Sequence, residues 1–177
     1  LGDRAQIRTD TSGAGAAGAV RVTVGSLEMS GGASIRSDSS AITAAQTTLR
    51  GDGAAGSVDV VASGPVALSG GRTRISSDTI GAGAGGAVSV QAATVTLAGG
   101  ASIQAGSAGT GVAGDVTVSG ADSVRLSDGA SIAGEATQSN GGNVTVNARR
   151  LVYLDDAAVS TSVGGPGNGG NVLIDPQ

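Results

Sequence analysis

Gly114-Asp-Val-Thr-Val118, followed after 28 residues by Gly142-Asn-Val-Thr-Val146 and after another 28 by Gly170-Asn-Val-Leu-Ile174, decides the architecture of this chain. The same phrase runs back toward the amino terminus as Gly86-Ala-Val-Ser-Val90, Gly56-Ser-Val-Asp-Val60 and Gly18-Ala-Val-Arg-Val22, at spacings of 28, 30 and 38. A recurring unit of this length cannot bury its apolar face alone and is stable only when stacked on its neighbours.

Two further beats follow each phrase. A second apolar pair comes about ten residues after the glycine: Leu27 and Met29, Val66 and Leu68, Val95 and Leu97, Val124 and Leu126, Leu151 and Tyr153. A third joins a small residue to a β-branched one: Ala33 and Ile35, Thr73 and Ile75, Ala101 and Ile103, Ala130 and Ile132, Ala157 and Val159, with Ala5 and Ile7 as the tail of an earlier copy. Within every beat the apolar residues are two apart, the periodicity of a strand with one face buried, and no stretch sustains helical spacing.

The predicted fold is an all-β, right-handed parallel β-helix with three short strands per coil and almost no helix. The hand follows from the near-universal right-handedness of connections between parallel strands. The coils run 18–55, 56–85, 86–113, 114–141 and 142–169, with partial coils 1–17 and 170–177. Like residues then stack into internal columns: Val20, Val58, Val88, Val116, Val144 and Val172; Val22, Val60, Val90, Val118, Val146 and Ile174; Leu68, Leu97 and Leu126; Ile7, Ile35, Ile75, Ile103, Ile132 and Val159. A propeller blade needs four antiparallel strands in a longer repeat, and a sandwich needs hairpins rather than one consensus repeated six times. The glycine of each phrase is expected to serve the tight turn into the first strand.

Composition agrees. The chain has 33 Gly, one aromatic residue, 10 Arg as its entire basic complement, no Cys and no His. Aliphatic side chains suit a narrow interior, each contributing about 1.5–3 kcal/mol when fully buried, and no disulfide or thiolate metal site is available. Collagen is excluded because glycine does not fall at every third position. No run is long enough to span a membrane as a helix, and the chain reads as a segment of a longer protein.

Gly167-Asn-Gly-Gly-Asn-Val-Leu-Ile-Asp175, Asn140-Gly-Gly-Asn-Val-Thr-Val-Asn-Ala148 and Leu126-Ser-Asp-Gly-Ala-Ser-Ile132 resemble the repeats of filamentous haemagglutinin-like exoproteins. These are the large passengers of two-partner secretion in Gram-negative bacteria and cyanobacteria. The resemblance spans essentially the whole chain, although similar phrases occur in other surface solenoids such as autotransporter passengers. It implies a β-helical rod, secreted or held at the cell surface through an outer-membrane secretion partner. The implied role is adhesion, aggregation or biofilm formation, with glycans or proteins of host or neighbouring cells as partners. The alternative is the scaffold of a carbohydrate-active β-helix enzyme whose site lies outside this segment.

Catalytic residues are not found. General acid–base chemistry needs groups of suitable pKa converging on one substrate, yet there is no His and Arg stays protonated. Asp155-Asp156, the adjacent acidic pair, reads as a solvated turn. A sharper pattern is Ile7-Arg-Thr-Asp10, Ile35-Arg-Ser-Asp38 and Ile75-Ser-Ser-Asp78. In register, Asp10, Asp38 and Asp78 stack at strand spacing, a repulsion that a cation or Arg8 and Arg36 would relieve. The readings are a weak Ca²⁺ strip, a glycan-contacting strip, or aspartates that each cap their own turn. Gly164-Gly-Pro-Gly-Asn-Gly-Gly-Asn-Val172 imitates a calcium-binding nonapeptide but has Gly169 where Asp is needed, and no cofactor is implied. The mixed outward column Arg21, Asp59, Ser89, Thr117, Thr145, Leu173 argues against an ice-binding surface. The net charge of −4 and the lack of a basic, aromatic-interleaved patch argue against nucleic acid. From Ile35 to Val58 is 23 residues where later coils take 13, placing about ten extra residues within Ser37 to Gly53. They are expected to fold back on the rod as an extra strand or turn, or to form a recognition loop.

Overall fold

A computed structural model describes residues 1–39, 41–42, 48–49 and 52–176. Among them there is no helix, and every pairing between coils is parallel, so the chain winds as a β-solenoid of about six turns.

The third-beat strands form one sheet of six, from Gln6–Arg8 to Ala158–Ser160. Its register sets Ile7, Ile35, Ile75, Ile103, Ile132 and Val159 over one another. The first and second beats share a nine-stranded sheet. In two coils they fuse into single strands, Val88–Ala98 and Val116–Ser127, bent at a bulge where Ala121 and Asp122 stand opposite Ala93. That extra residue makes Val95 to Val124 a step of 29, and Ile132 to Val159 a compensating step of 27. The uniform spacing of the glycines conceals both.

A fourth position completes each coil. Thr11, Ser39, Thr79, Ser107, Ala136 and Val163 are joined by single-residue parallel bridges. One residue per coil carries no alternation, so no apolar pattern announces it.

The interior is the predicted set of columns. Val60, Val90, Val118, Leu97, Leu126, Ile35, Ile75, Ile103 and Ile132 are wholly buried, and Val22 and Val159 are half-buried against them. Ile7, Val172 and Ile174 hold their register but stand 38%, 44% and 40% exposed, because as terminal rungs they are covered on one side only. The second beat of the last full coil needs correction. Val152 and Leu154, not Leu151 and Tyr153, align with Val124 and Leu126. Four consecutive apolar residues allow either phase, and the pairing with the previous coil decides it. Tyr153 therefore faces outward, with the Arg125 guanidinium 5.9 Å from its ring centroid.

The first-beat glycines also act differently from expectation. None of Gly18, Gly56, Gly86, Gly114, Gly142 and Gly170 has a positive φ. From Gly56 onward each is glycine because the backbone of the preceding coil lies against it: a Cβ on Gly56, Gly86, Gly114, Gly142 or Gly170 would collide with the carbonyl oxygen of the glycine one coil before. Left-handed backbone lies instead at the turn between the second and third strands, at Gly99 and Gly100, and at Asp128, Gly129 and Asp156 in later coils.

Hydroxyls two residues beyond the third-strand isoleucines tie that strand to the glycine column. Ser37 Oγ donates to Gly18 O (2.6 Å) and accepts from Gly56 N (3.0 Å), and Ser77 Oγ repeats the pattern with Gly56 O (2.6 Å) and Gly86 N (3.0 Å). They satisfy backbone groups that would otherwise be stranded, at a cost of about 1–3 kcal/mol each.

Two glycines separate the role of close approach from that of glycine in general. Gly114→Ala must push two coils apart, whereas a Cβ at Gly71 meets nothing within 4 Å. Thermal unfolding is expected to show Gly114→Ala destabilised by about 1–3 kcal/mol or more and Gly71→Ala within about 0.5 kcal/mol of the parent. Equal melting temperatures for the two would contradict the assignment.

Candidate functional site

Strand alternation sends the residues flanking each third-strand isoleucine outward, and the bridges beyond fix what lies beside them. Asp10, Asp38, Asp78, Gly106, Glu135 and Ser162 each precede a bridge residue and so form one column along the corner of the rod. The predicted aspartate stack is thus present.

The aspartates neither converge on a common point nor cap their own turns. Each instead reaches forward to the next coil. Asp38 Oδ1 accepts from Asp78 N at 3.1 Å, and Asp78 Oδ1 from Gly106 N at 2.8 Å, while Asp10 Oδ1 sits 3.5 Å from Asp38 N. Parallel stacking explains the choice: the same position one coil on offers an N–H at strand spacing, which a local turn does not. Arg36 relieves the remaining repulsion, with one guanidinium nitrogen 3.3 Å from Asp38 Oδ2 and another 3.4 Å from Asp10 Oδ2; Arg8 adds a contact of 3.4 Å to the same Asp10 oxygen. Among the described residues no group of three or more His, Cys, Asp or Glu is placed to hold a metal ion.

Burial of Asp38 raises its pKa above the ordinary carboxylate value of 3.8, and the nearby Asp78 charge adds to the rise. The hydrogen bond from Asp78 N–H and the Arg36 charge pull it partly back, and Asp10 raises it slightly further.

The same column opens into a groove of about 530 Å³ lined by Asp78, Gln104 and Glu135 from three successive coils, with Ser107, Thr137 and Ser162. Gly106 creates the gap: a Cβ there would stand 3.0 Å from Asp78 Oδ1. Both carboxylates are engaged. Asp78 Oδ2 accepts from Gln104 Nε2 at 2.8 Å, and Glu135 Oε1 accepts from Ser160 Oγ at 2.6 Å. Glu135 escaped the sequence reading because it joins the column only through the 29-residue step from Ser107 to Ala136.

Other outer columns are polar ladders. Asp115 Oδ1 accepts from Asn143 N (2.8 Å) and Nδ2 (3.1 Å), and Asn143 Oδ1 accepts from Asn171 N (3.0 Å) and Nδ2 (3.2 Å). The column between the valines runs Arg21, Asp59, Ser89, Thr117, Thr145, Leu173 as expected, with an exposed Arg21–Asp59 pair at 2.7 Å. Asp156 occupies the predicted turn, Arg150 pairs with Asp122 at 3.4 Å, and Asp155 stays beside Tyr153. In the insertion, Ala41–Ile42 pairs antiparallel with Thr48–Leu49 as a separate two-stranded sheet. The rest of it, residues 40, 43–47 and 50–51, lies outside the described residues, and with it the choice between packing and recognition.

Comparison with models of known families, with curated proteins and with solved structures finds no match for this chain.

A raised carboxylate pKa means the folded chain holds a proton at a pH where the unfolded chain has lost it. This contribution grows as pH falls from neutral toward 3.8 and is absent once pH has risen through the folded-state pKa. Asp38→Asn keeps an Oδ1 acceptor for Asp78 N–H and cannot titrate. The melting temperature of the parent is expected to gain on that of the variant as pH falls through this window, and a constant difference would refute the account.

Proposed function

We propose that this chain is a rod-like segment of a secreted or surface-exposed bacterial exoprotein that spaces and displays adhesive surfaces. The observation that carries the reading is the stacking of outward polar residues through three successive coils at a time: Asp115–Asn143–Asn171, Ser89–Thr117–Thr145 and Asp10–Asp38–Asp78. The aspartate and asparagine columns spend their hydrogen-bonding groups on joining coils, which favours a stiff, regular exterior over a cleft built for turnover. The resemblance of Asn140-Gly-Gly-Asn-Val-Thr-Val-Asn-Ala148 to filamentous haemagglutinin-like repeats supports the same reading. It brings with it export through an outer-membrane secretion partner, and glycans or proteins of neighbouring cells as the surfaces met.

Beads coated with the chain are expected to be retained on bacterial or host cell layers above beads coated with a heat-unfolded sample. Equal retention would remove the adhesive role.

One observation favours a second reading, a carbohydrate-active β-helix enzyme with its site in this segment rather than outside it: Asp78, Gln104 and Glu135 line a single groove across three coils. On that reading the chain releases new reducing ends from a polysaccharide, and Asp78→Asn or Glu135→Gln lowers the rate at least about 100-fold, the usual scale of a lost acid or base. The adhesive reading expects no release above buffer from either parent or variants.

A further inference from the structure

We propose that the turn and third strand of the first three coils form a binding groove for an acidic glycan whose sugars carry carboxylates. The groove has a volume of about 580 Å³ and is lined by Arg4, Gln6, Gly32, Ser34, Arg36, Arg72 and Arg74. That places four of the chain's 10 arginines on one small surface of a molecule whose net charge is −4.

Three of these four arginines, like Arg149 elsewhere on the rod, have no ionic or ring partner among the described residues. Arg8 and Arg36 are bound to Asp10 and Asp38, Arg21 to Asp59 and Arg150 to Asp122. Arg125 lies over Tyr153. Arg4, Arg72 and Arg74 make no ion pair with any described residue. Uncompensated cations brought together repel one another, and an anion bridging them removes that cost. Asp3, on the turn beside Gly31, stands at the rim.

The stacking explains the shape. Arg4, Gly32 and Arg72 occupy equivalent places in three successive coils, and a Cβ on Gly32 would lie 3.8 Å from both Arg4 Cγ and Arg72 Cβ. The two guanidinium stems therefore flank a bare glycine, about 10 Å apart at two strand spacings. Arg74 lies beside them on the outward column Gln6–Ser34–Arg74, whose other members offer an amide and a hydroxyl. A ligand with carboxylates repeating along its length, and hydroxyls between, matches this array. The planar fork of each arginine pairs with a carboxylate through two parallel hydrogen bonds. A nucleic acid matches poorly, since no aromatic side chain lines the groove to stack a base.

The inference deepens the display reading and rests on it for the glycan nature of the ligand. The test is calorimetric titration of the chain with an oligogalacturonate of defined length. The fully methyl-esterified oligomer serves as a control with the same sugars and no charge. The parent is expected to bind the free acid, to lose affinity at least tenfold as salt rises from 50 to 500 mM, and to ignore the ester. Arg4→Gln/Arg72→Gln/Arg74→Gln should weaken binding at least tenfold with an unchanged melting temperature, and Arg125→Gln/Arg149→Gln should leave it within twofold. Equal binding of acid and ester, retained affinity in the triple variant, or tighter binding of an oligonucleotide of equal charge would overturn the proposal. So would no binding by the folded parent, even if coated beads still adhere; binding without bead adhesion would instead count against the display reading alone.

Discussion

Every rung of this rod must lie on a copy of itself at a strand spacing of about 4.8 Å, and the rest of the structure follows from what each residue type does under that demand. Aliphatic side chains gain from it. Val88, Val116 and Val144 stack into a dry column, as do Ile75, Ile103 and Ile132. Backbone that stacks closely tolerates no side chain, so the column from Gly56 to Gly170 is glycine for want of room rather than for freedom of φ.

Polar and charged residues meet the demand with more difficulty, and their solutions give the exterior its character. A side-chain carbonyl or carboxylate finds the N–H of its own successor one coil away, as in Asp38 to Asp78, Asp78 to Gly106 and Asn143 to Asn171. Charge left over is balanced diagonally, with Arg36 spanning Asp10 and Asp38. Groups handled in this way hold the rod together and have little left for a ligand. The arginines at positions 4, 72 and 74 are not so engaged, and they stand out because the stacking gathers all three into one groove.

Much of this was legible in the residues. Strand periodicity, the three apolar beats, the membership of the valine and isoleucine columns and the stacking of Asp10, Asp38 and Asp78 all follow from like residues at like spacings. What escaped was phase and direction. Leu151-Val-Tyr-Leu154 is apolar at every position, so periodicity alone could not say that Val152 and Leu154 are the pair that aligns with Val124 and Leu126. The bridge position from Thr11 to Val163 contributes one residue per coil and leaves no alternation to read. The aspartates looked like local turn caps because sequence distance hides a neighbour 28 or 40 residues away that is the nearest donor in space.

The stack of parallel coils could be read from the residues alone, because three apolar beats within about 28 residues leave too little chain for a four-stranded propeller blade and no hairpins for a sandwich. Which side chains meet across coils became visible with the folded coils, because insertions of a single residue, as at Ala121-Asp122, shift the register without changing the period. That is why the core could be named from the chain alone. The groove that gathers Arg4, Arg72 and Arg74 could not, as it exists only where three distant turns are laid one upon another.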